Sequence, residues 1–244
     1  MRLKDQMFLE QQVIDLRKAL LHSQRAEAKA KLKTSDLIEA VYEAAKLSLM
    51  SSPRPTVIPP AKDTRKIKPE VALVHLTDWQ AGKQTVSYDL AVLTARIEAM
   101  IRKVIQLTDI QRAHHPVKEC VVMLGGDMVE GVGIFPGQQY EVGAHLYEQM
   151  FAVVALIESS IRTLAANFET VKVVCEFGNH GRLGKKGDMP AGDNIDRMAY
   201  QIASNNCKDI KHVKWQMSDD WYQIFAIGAY KVLLVHGEIG RAHV

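Results

Sequence analysis

Four apolar runs in this chain each finish on a polar residue that a divalent metal ion would accept. "VALVHLTD" finishes at Asp78, "CVVMLGGD" at Asp127, "VKVVCEFGN" at Asn179 and "YKVLLVH" at His236. Any one of them reads equally well as a cap or turn residue, since Asp and Asn favour such places. All four together read as a site. In open α/β sheets ligands bind outside the carboxyl ends of the strands, so four strand-end residues of one sheet are expected to converge although they lie far apart in sequence. Two residues beyond Asp78 stands Gln80, where a metal site more often places histidine. Its amide oxygen is a hard, neutral donor, and oxygen donors suit Mn²⁺ or Mg²⁺ better than Zn²⁺.

The elements that position these residues follow from periodicity. "VALVHL" is a continuous apolar run, the mark of a strand covered on both faces. Leu90, Leu93, Ile97, Ile101, Val104 and Ile105 recur at helical spacing, and "CVVML" is a second strand. Met150, Val153, Val154, Ile157, Ile161 and Leu164 mark a second long helix, "VKVVCEF" a third strand, and Ile195 to Ile202 a shorter helix. "HVKWQM", "WYQIFAIG" and "YKVLLVHG" read as short strands, the last two joined tightly at Gly228-Ala229. Strand–helix alternation predicts an α/β fold, a largely parallel sheet with helices packed outside.

Ahead of this domain the character changes. Leu9, Val13, Leu16 and Leu20 form an amphipathic seam, and Ser35 or Asp36 can cap a second helix, with Glu39 closing a capping box on Asp36. Residues 1–50 are therefore expected to be a helical arm, and the proline- and cation-rich stretch 51–69 an extended linker. The main domain is then expected to run from 70 to 244. Residues 1–69 carry a net charge of +6 and the remainder −3. A basic arm beside an acidic body suits a nucleic-acid partner; a solvated helical face explains it equally well. The arm is also a candidate surface for homo-oligomerisation or a partner protein. Cys120, Cys175 and Cys207 are too few and too scattered for a disulfide framework, and they read as buried core residues. The polar N-terminus is no signal peptide and no apolar run approaches a membrane span, so a cytoplasmic protein is expected.

"TDWQ", "GGDMVE", "GNHGR" and "LLVHG", in this order, resemble the successive motifs of the calcineurin-like metallophosphoesterases. With the helical arm, the wording is most similar to phage-type members related to SbcD-type DNA repair nucleases, which implies a host cytoplasm. The resemblance implies a four-layer sandwich, two mixed β-sheets flanked by helices, with two divalent metal ions at one edge. It implies that Asp78 binds the first ion, that Asp127 bridges both, and that Asn179 and His236 bind the second. In such a pair a bound water is acidic enough to attack phosphorus near neutral pH. His180 is then placed to protonate the leaving oxygen or to stabilise the phosphorus centre. Glu130 is expected to orient its neighbours. Arg182 would hold a phosphate through its planar fork, or make a plain salt bridge. His75 reads as a hydrogen-bonded core histidine, and His22, His114, His115, His145 and His212 as surface or helix-end residues.

Three functions remain open at this point. The first is a phosphodiesterase acting on nucleic acid, a DNA exo- or endonuclease. For it the loop "EGVGIFPGQQYEVG" offers Phe135 and Tyr140, which would stack on bases or anchor the loop to its own domain. The second is a phosphatase or phosphodiesterase for nucleotides or phosphoproteins. The third is a non-catalytic interaction module with a degraded metal site, which Gln80 favours. The family closes its site with a glycine and two histidines after another strand, and only seven residues follow Gly237. The ending "IGRAHV" is also what ATC-GGA-AGA-GCA-CAC-GTC, a sequencing-adapter string, encodes. Ile239 to Val244, with part of the Glu238 codon, are thus expected to be adapter read-through on a truncated gene, leaving each ion one ligand short.

Overall fold

The computed structural model describes residues 55–184, 190, 192–218 and 220–237, together with Gln12, Leu16, Lys18 and Leu20. The expectations for the rest of residues 1–54 and for 238–244 lie outside the described residues; Leu16 and Leu20 of the N-terminal seam are helical and exposed. The chain divides into two units between Pro53 and Arg54. Among the described residues no helix is long and apolar enough to cross a membrane.

The second unit is a mixed α/β fold. Its order is β1 (Glu70–Leu76), α1 (Leu90–Arg112), β2 (Val117–Leu124), a 3₁₀ turn (Gln138–Tyr140), α2 (Leu146–Ala165), β3 (Thr170–Cys175), α3 (Ile195–Asn206), β4 (Val213–Met217), β5 (Tyr222–Ile227) and β6 (Tyr230–Val235). Strands β1 to β4 form one parallel sheet in sequence order, and β5 and β6 form a separate antiparallel hairpin. Gly228 takes a φ of 55° in the hairpin's two-residue turn. Tight hairpin turns require such positive values, which glycine adopts without strain.

The two faces of the parallel sheet have different neighbours. Because side chains alternate along a strand, Val121, Met123 and Val174 share one face, where they pack on Phe225 and Leu234 of the hairpin. Cys120, Val122, Leu124, Val171, Val173 and Cys175 take the other face, and all are buried. Helix α2 packs on β3 and on both other helices, and buries all six residues of its apolar stripe. The three cysteines are buried and free, and burial pushes the Cys120 thiol up to about 12.

Three local expectations need correction. β1 is an edge strand: Val74 and Leu76 are buried, but on its other face only Val71 packs against the cluster under the hairpin, and Leu73 and His75 are exposed. His75 is therefore no core histidine. The site residues also do not all come from one sheet, since His236 follows β6 of the hairpin. Finally, residues 55–65 lie against the domain. Asp63 N–H donates to Glu169 Oε1 at 2.7 Å, Arg65 Nη1 to the Arg112 carbonyl at 2.8 Å, and Arg162 Nη1 to the Pro55 carbonyl at 3.4 Å.

Candidate metal centre

The loops after β1, β2 and β3 are bonded to one another immediately beyond the strands. Gly125 N–H donates to the Leu76 carbonyl (2.8 Å), Asp78 N–H to Gly126 (3.0 Å), Gln80 N–H to Asp127 (2.9 Å) and Ala81 N–H to Met128 (2.8 Å). Such a tight weave forces unusual backbone. The described non-glycine residues with left-handed φ are Asp78 (55°), Gln80 (44°) and Asp127 (52°), all three of them candidate ligands. Side chains in that region cost roughly 1–3 kcal/mol each and cluster at functional sites. Glycine is required at two crossing points. A Cβ on Gly126, whose φ is 89°, would collide with the Gly178 backbone, and a Cβ on Gly178 would collide with the Asp127 carboxylate.

Asp127, Asn179 and His236 meet at this end of the sheet. His236 Nε2 lies 3.1 Å from Asp127 Oδ2 and 3.2 Å from Asn179 Oδ1. Its Nδ1 donates to the Gly125 carbonyl at 2.8 Å. That bond fixes the tautomer and points Nε2 at the two oxygens, as the outer hydrogen bond of a metal-binding histidine does. A neutral ring held this way aims a lone pair at two acceptors. Either a proton on Nε2 or a cation between the three atoms relieves that clash, so these donors fit a divalent ion. Where no cation is bound the proton does it: the hydrogen bond to Asp127 pushes His236 up to about 9, against burial, with the Gly125 carbonyl adding to the rise. Burial pushes Asp127 up, but the His236 ring and the His180 N–H outweigh it and leave the carboxyl below its ordinary value.

Asp78 and Gln80 stand at the rim. Asp78 is exposed, accepts from Thr77 Oγ1 at 2.7 Å, and adds its charge to the field on His236. Gln80 Oε1 faces Lys83 Nζ at 3.4 Å, so its donor oxygen looks towards an ammonium. Among the described residues no group of three or more His, Cys, Asp and Glu side chains is drawn together as for a metal. Three donors linked through His236 are reached only by counting the Asn179 amide oxygen.

His180 is buried behind this set. Its N–H donates to Asp127 Oδ1 at 2.8 Å, its Nδ1 bonds the Glu130 carbonyl at 2.8 Å, and its Nε2 lies 3.9 Å from Asp127 Oδ2. Burial lowers its proton affinity, but the hydrogen bond to Glu130 and the charge of Asp127 raise it more, and the net direction is up. Glu130 is fully buried, and its Oε2, 3.5 Å from His180 Nδ1, has no hydrogen-bond partner among the described residues. Glu130 thus holds the imidazole from behind. Arg182 is half-buried and lines a cavity of about 520 Å³ together with Phe177, Asn179, Trp221 and His236. A larger cavity of about 680 Å³ lies at the start of α2. It contains none of the candidate donors, so size alone does not locate the site.

Several positioning residues escape a reading of the sequence. Asp196, fully buried in the first turn of α3, accepts from Met128 N–H (3.1 Å), Val129 N–H (3.3 Å) and Gly178 N–H (3.0 Å). Burial pushes it up to about 6, with the Asp127 charge adding to the rise and the N–H donors opposing it. Asn194 caps the same helix and donates to the Gly178 carbonyl at 2.8 Å. One helix start therefore clamps the loops that carry Asp127 and Asn179. The only sequence signal is a cap-like "DNID" ahead of a helical run. The 131–145 loop is held by buried amides: Gln138 bonds the Glu130 carbonyl and Ile134 N–H, and Gln149 bonds Gly131 N–H and the Ala144 carbonyl. Tyr140, 86% exposed, does not anchor that loop, and Phe135 meets the His180 ring edge-on at 5.2 Å.

No family model matches the chain, and no curated protein matches it. The geometry and the motif order therefore carry the functional reading.

Proposed function

We propose that this chain is a calcineurin-like metallophosphoesterase that hydrolyses phosphodiester bonds of nucleic acid, a DNA nuclease working with Mn²⁺ or Mg²⁺ in the cytoplasm. The observation that carries the reading is the meeting of Asp127, Asn179 and His236, from three separate loops, with contacts of 3.1 and 3.2 Å at the carboxyl ends of the strands. The parallel sheet, the hairpin packed on it and the helices beyond fit part of the four-layer sandwich that such enzymes have. A bound divalent pair supplies Lewis acidity and a water activated near neutral pH. Asp127, Asn179 and His236 would hold the ions, and Asp78 and Gln80 would add oxygen donors from the rim. His180, kept in one tautomer by Glu130, offers Nε2 to the leaving oxygen as a general acid. Arg182 orients a phosphate from the adjoining cavity.

A second reading has its own observation. The Lys83 ammonium beside Gln80 opposes a cation at the Asp78 end, which favours a site of reduced occupancy and an interaction module. Purified protein with Mn²⁺ offered linear DNA, a chromogenic phosphodiester and a chromogenic monoester separates the functions. DNA cleavage supports the nuclease. Turnover of the small esters alone points to a nucleotide or phosphoprotein phosphatase, and no turnover to the interaction module.

A further inference from the structure

We propose that the cavity beside His236 and Asn179 is a nucleobase site, in which the Trp221 indole stacks on an unpaired base next to the phosphate at the candidate metal centre. This rests on the phosphoesterase reading and adds the part of the substrate that is recognised. The juxtaposition comes from the hairpin register. Tyr222 pairs with Val235 at the end of the hairpin ladder, and Trp221 and His236 are the next residues along the two strands. The cavity of about 520 Å³ is lined by both residues and by Phe177, Asn179, Arg182 and Asp220. Its size is that of an ordinary small-molecule site. Whatever fills it is adjacent to the group that Asn179 and His236 hold.

The lining selects the ligand class. Trp221 is 70% exposed, whereas Trp79 is 4% exposed. Its ring meets Tyr222 at 73° with centroids 5.2 Å apart, so Tyr222 braces the indole without lying parallel to it. Every base has a π-face that such a platform accepts, whatever the sequence. Arg182 and Asp220 put opposite charges on the wall, and Asp220 repels a second phosphate but not a neutral base. A base inside a duplex cannot reach an indole face unless it leaves the stack. The site therefore fits single strands and frayed ends.

The test uses the full chain with Mn²⁺ and two labelled ten-unit oligomers, one an ordinary single-stranded deoxynucleotide and one of abasic tetrahydrofuran units. Binding is read by anisotropy and turnover by gel. Wild type should prefer the ordinary oligomer in binding and in kcat/KM. Trp221→Ala should lower that preference by about 5- to 100-fold, and Trp221→Phe should restore most of it. A mononucleotide that competes as well as the oligomer would also support the base site and identify a free nucleotide as ligand. A base preference in binding without cleavage would support the site and count against the nuclease. Equal handling of both oligomers by wild type, or equal losses on both in Trp221→Ala, would overturn the inference. Failure of wild type to bind or cleave either would overturn both readings.

Discussion

Asp196 is the most informative residue to perturb, because its role needs no metal. Its carboxylate receives three backbone N–H groups from the loops that carry Asp127 and Asn179. Asp196→Asn keeps one oxygen for Met128 and Val129 but turns an amide NH₂ towards Gly178 N–H. That donor is then unpaired, at a cost of about 1–3 kcal/mol at any pH. Asp196→Ala leaves all three donors unpaired and should cost at least about 3 kcal/mol. A pH-dependent part comes on top. Asp196 titrates at about 6 in the folded chain against an ordinary value of 3.8. Below about pH 4 both folded and unfolded chains hold the proton, and its contribution to stability is whole. Between about pH 4 and 6 only the folded chain keeps it, so that contribution drains away as the pH rises and is gone above about 6. Two pH units of difference correspond to about 3 kcal/mol. The assay is urea unfolding in EDTA from about pH 4 to 8, which spans that window. Wild type should lose about 3 kcal/mol relative to Asp196→Asn as the pH rises through it, while the other titrating groups cancel in the difference. A pH-independent difference would refute a buried, proton-holding carboxylate at Asp196.

The other substitutions address the centre itself. Asp127→Ala should abolish Mn²⁺ binding by calorimetry and hydrolysis together, because its carboxylate touches both His236 and the His180 N–H. His180→Ala should keep Mn²⁺ affinity and lower turnover by about 10²–10⁴-fold, and lost metal with turnover restored on readdition would reverse the roles assigned. Gln80→His should tighten metal binding and widen tolerance towards Zn²⁺, and Lys83→Met should tighten it by removing the opposing charge; unchanged titrations would take Gln80 out of the metal's reach. Removing residues 1–53 should leave a folded domain and, if the arm touches phosphates, a smaller salt dependence of DNA binding. Removal up to residue 69 should also cost stability, since Asp63 and Arg65 bond across to Glu169 and Arg112.

Legibility in the sequence followed the range of the forces involved. Apolar runs and helical stripes are local, and β2, β3, α2 and the Gly228-Ala229 turn stand where their patterns put them. The open face of β1 was illegible because an edge strand and a central one can carry the same apolar run; only the tertiary packing distinguishes them. The strand-end rule brought out Asp127, Asn179 and His236 without revealing that His236 arrives from a second sheet. The clamps were hidden for another reason. Asp196 reaches Met128 across 68 positions, and a buried carboxylate paired with backbone N–H groups leaves no side-chain partner to find in the sequence. Trp221 reads as a strand residue, and its exposure depends on how the hairpin packs.

The left-handed residues permit one more test, separating what Gln80 does for folding from what it does for metal. Gln80 has a φ of 44°, and Lys83 Nζ approaches its side chain at 3.4 Å. A left-handed backbone costs an L-residue about 1–2 kcal/mol, and a weak contact at the protein surface returns little of it. Folding alone would be served better by glycine. Gln80→Gly and Gln80→Ala both delete the amide, but only glycine also relieves the backbone. In EDTA the glycine variant should therefore exceed the alanine variant by up to about 1–2 kcal/mol, less what glycine adds to the entropy of the unfolded chain. Both should bind Mn²⁺ more weakly than wild type. Alanine as stable as glycine would show that the backbone there is unstrained. A glycine variant that kept full Mn²⁺ affinity would show that the site uses neither the amide nor the strain at this position.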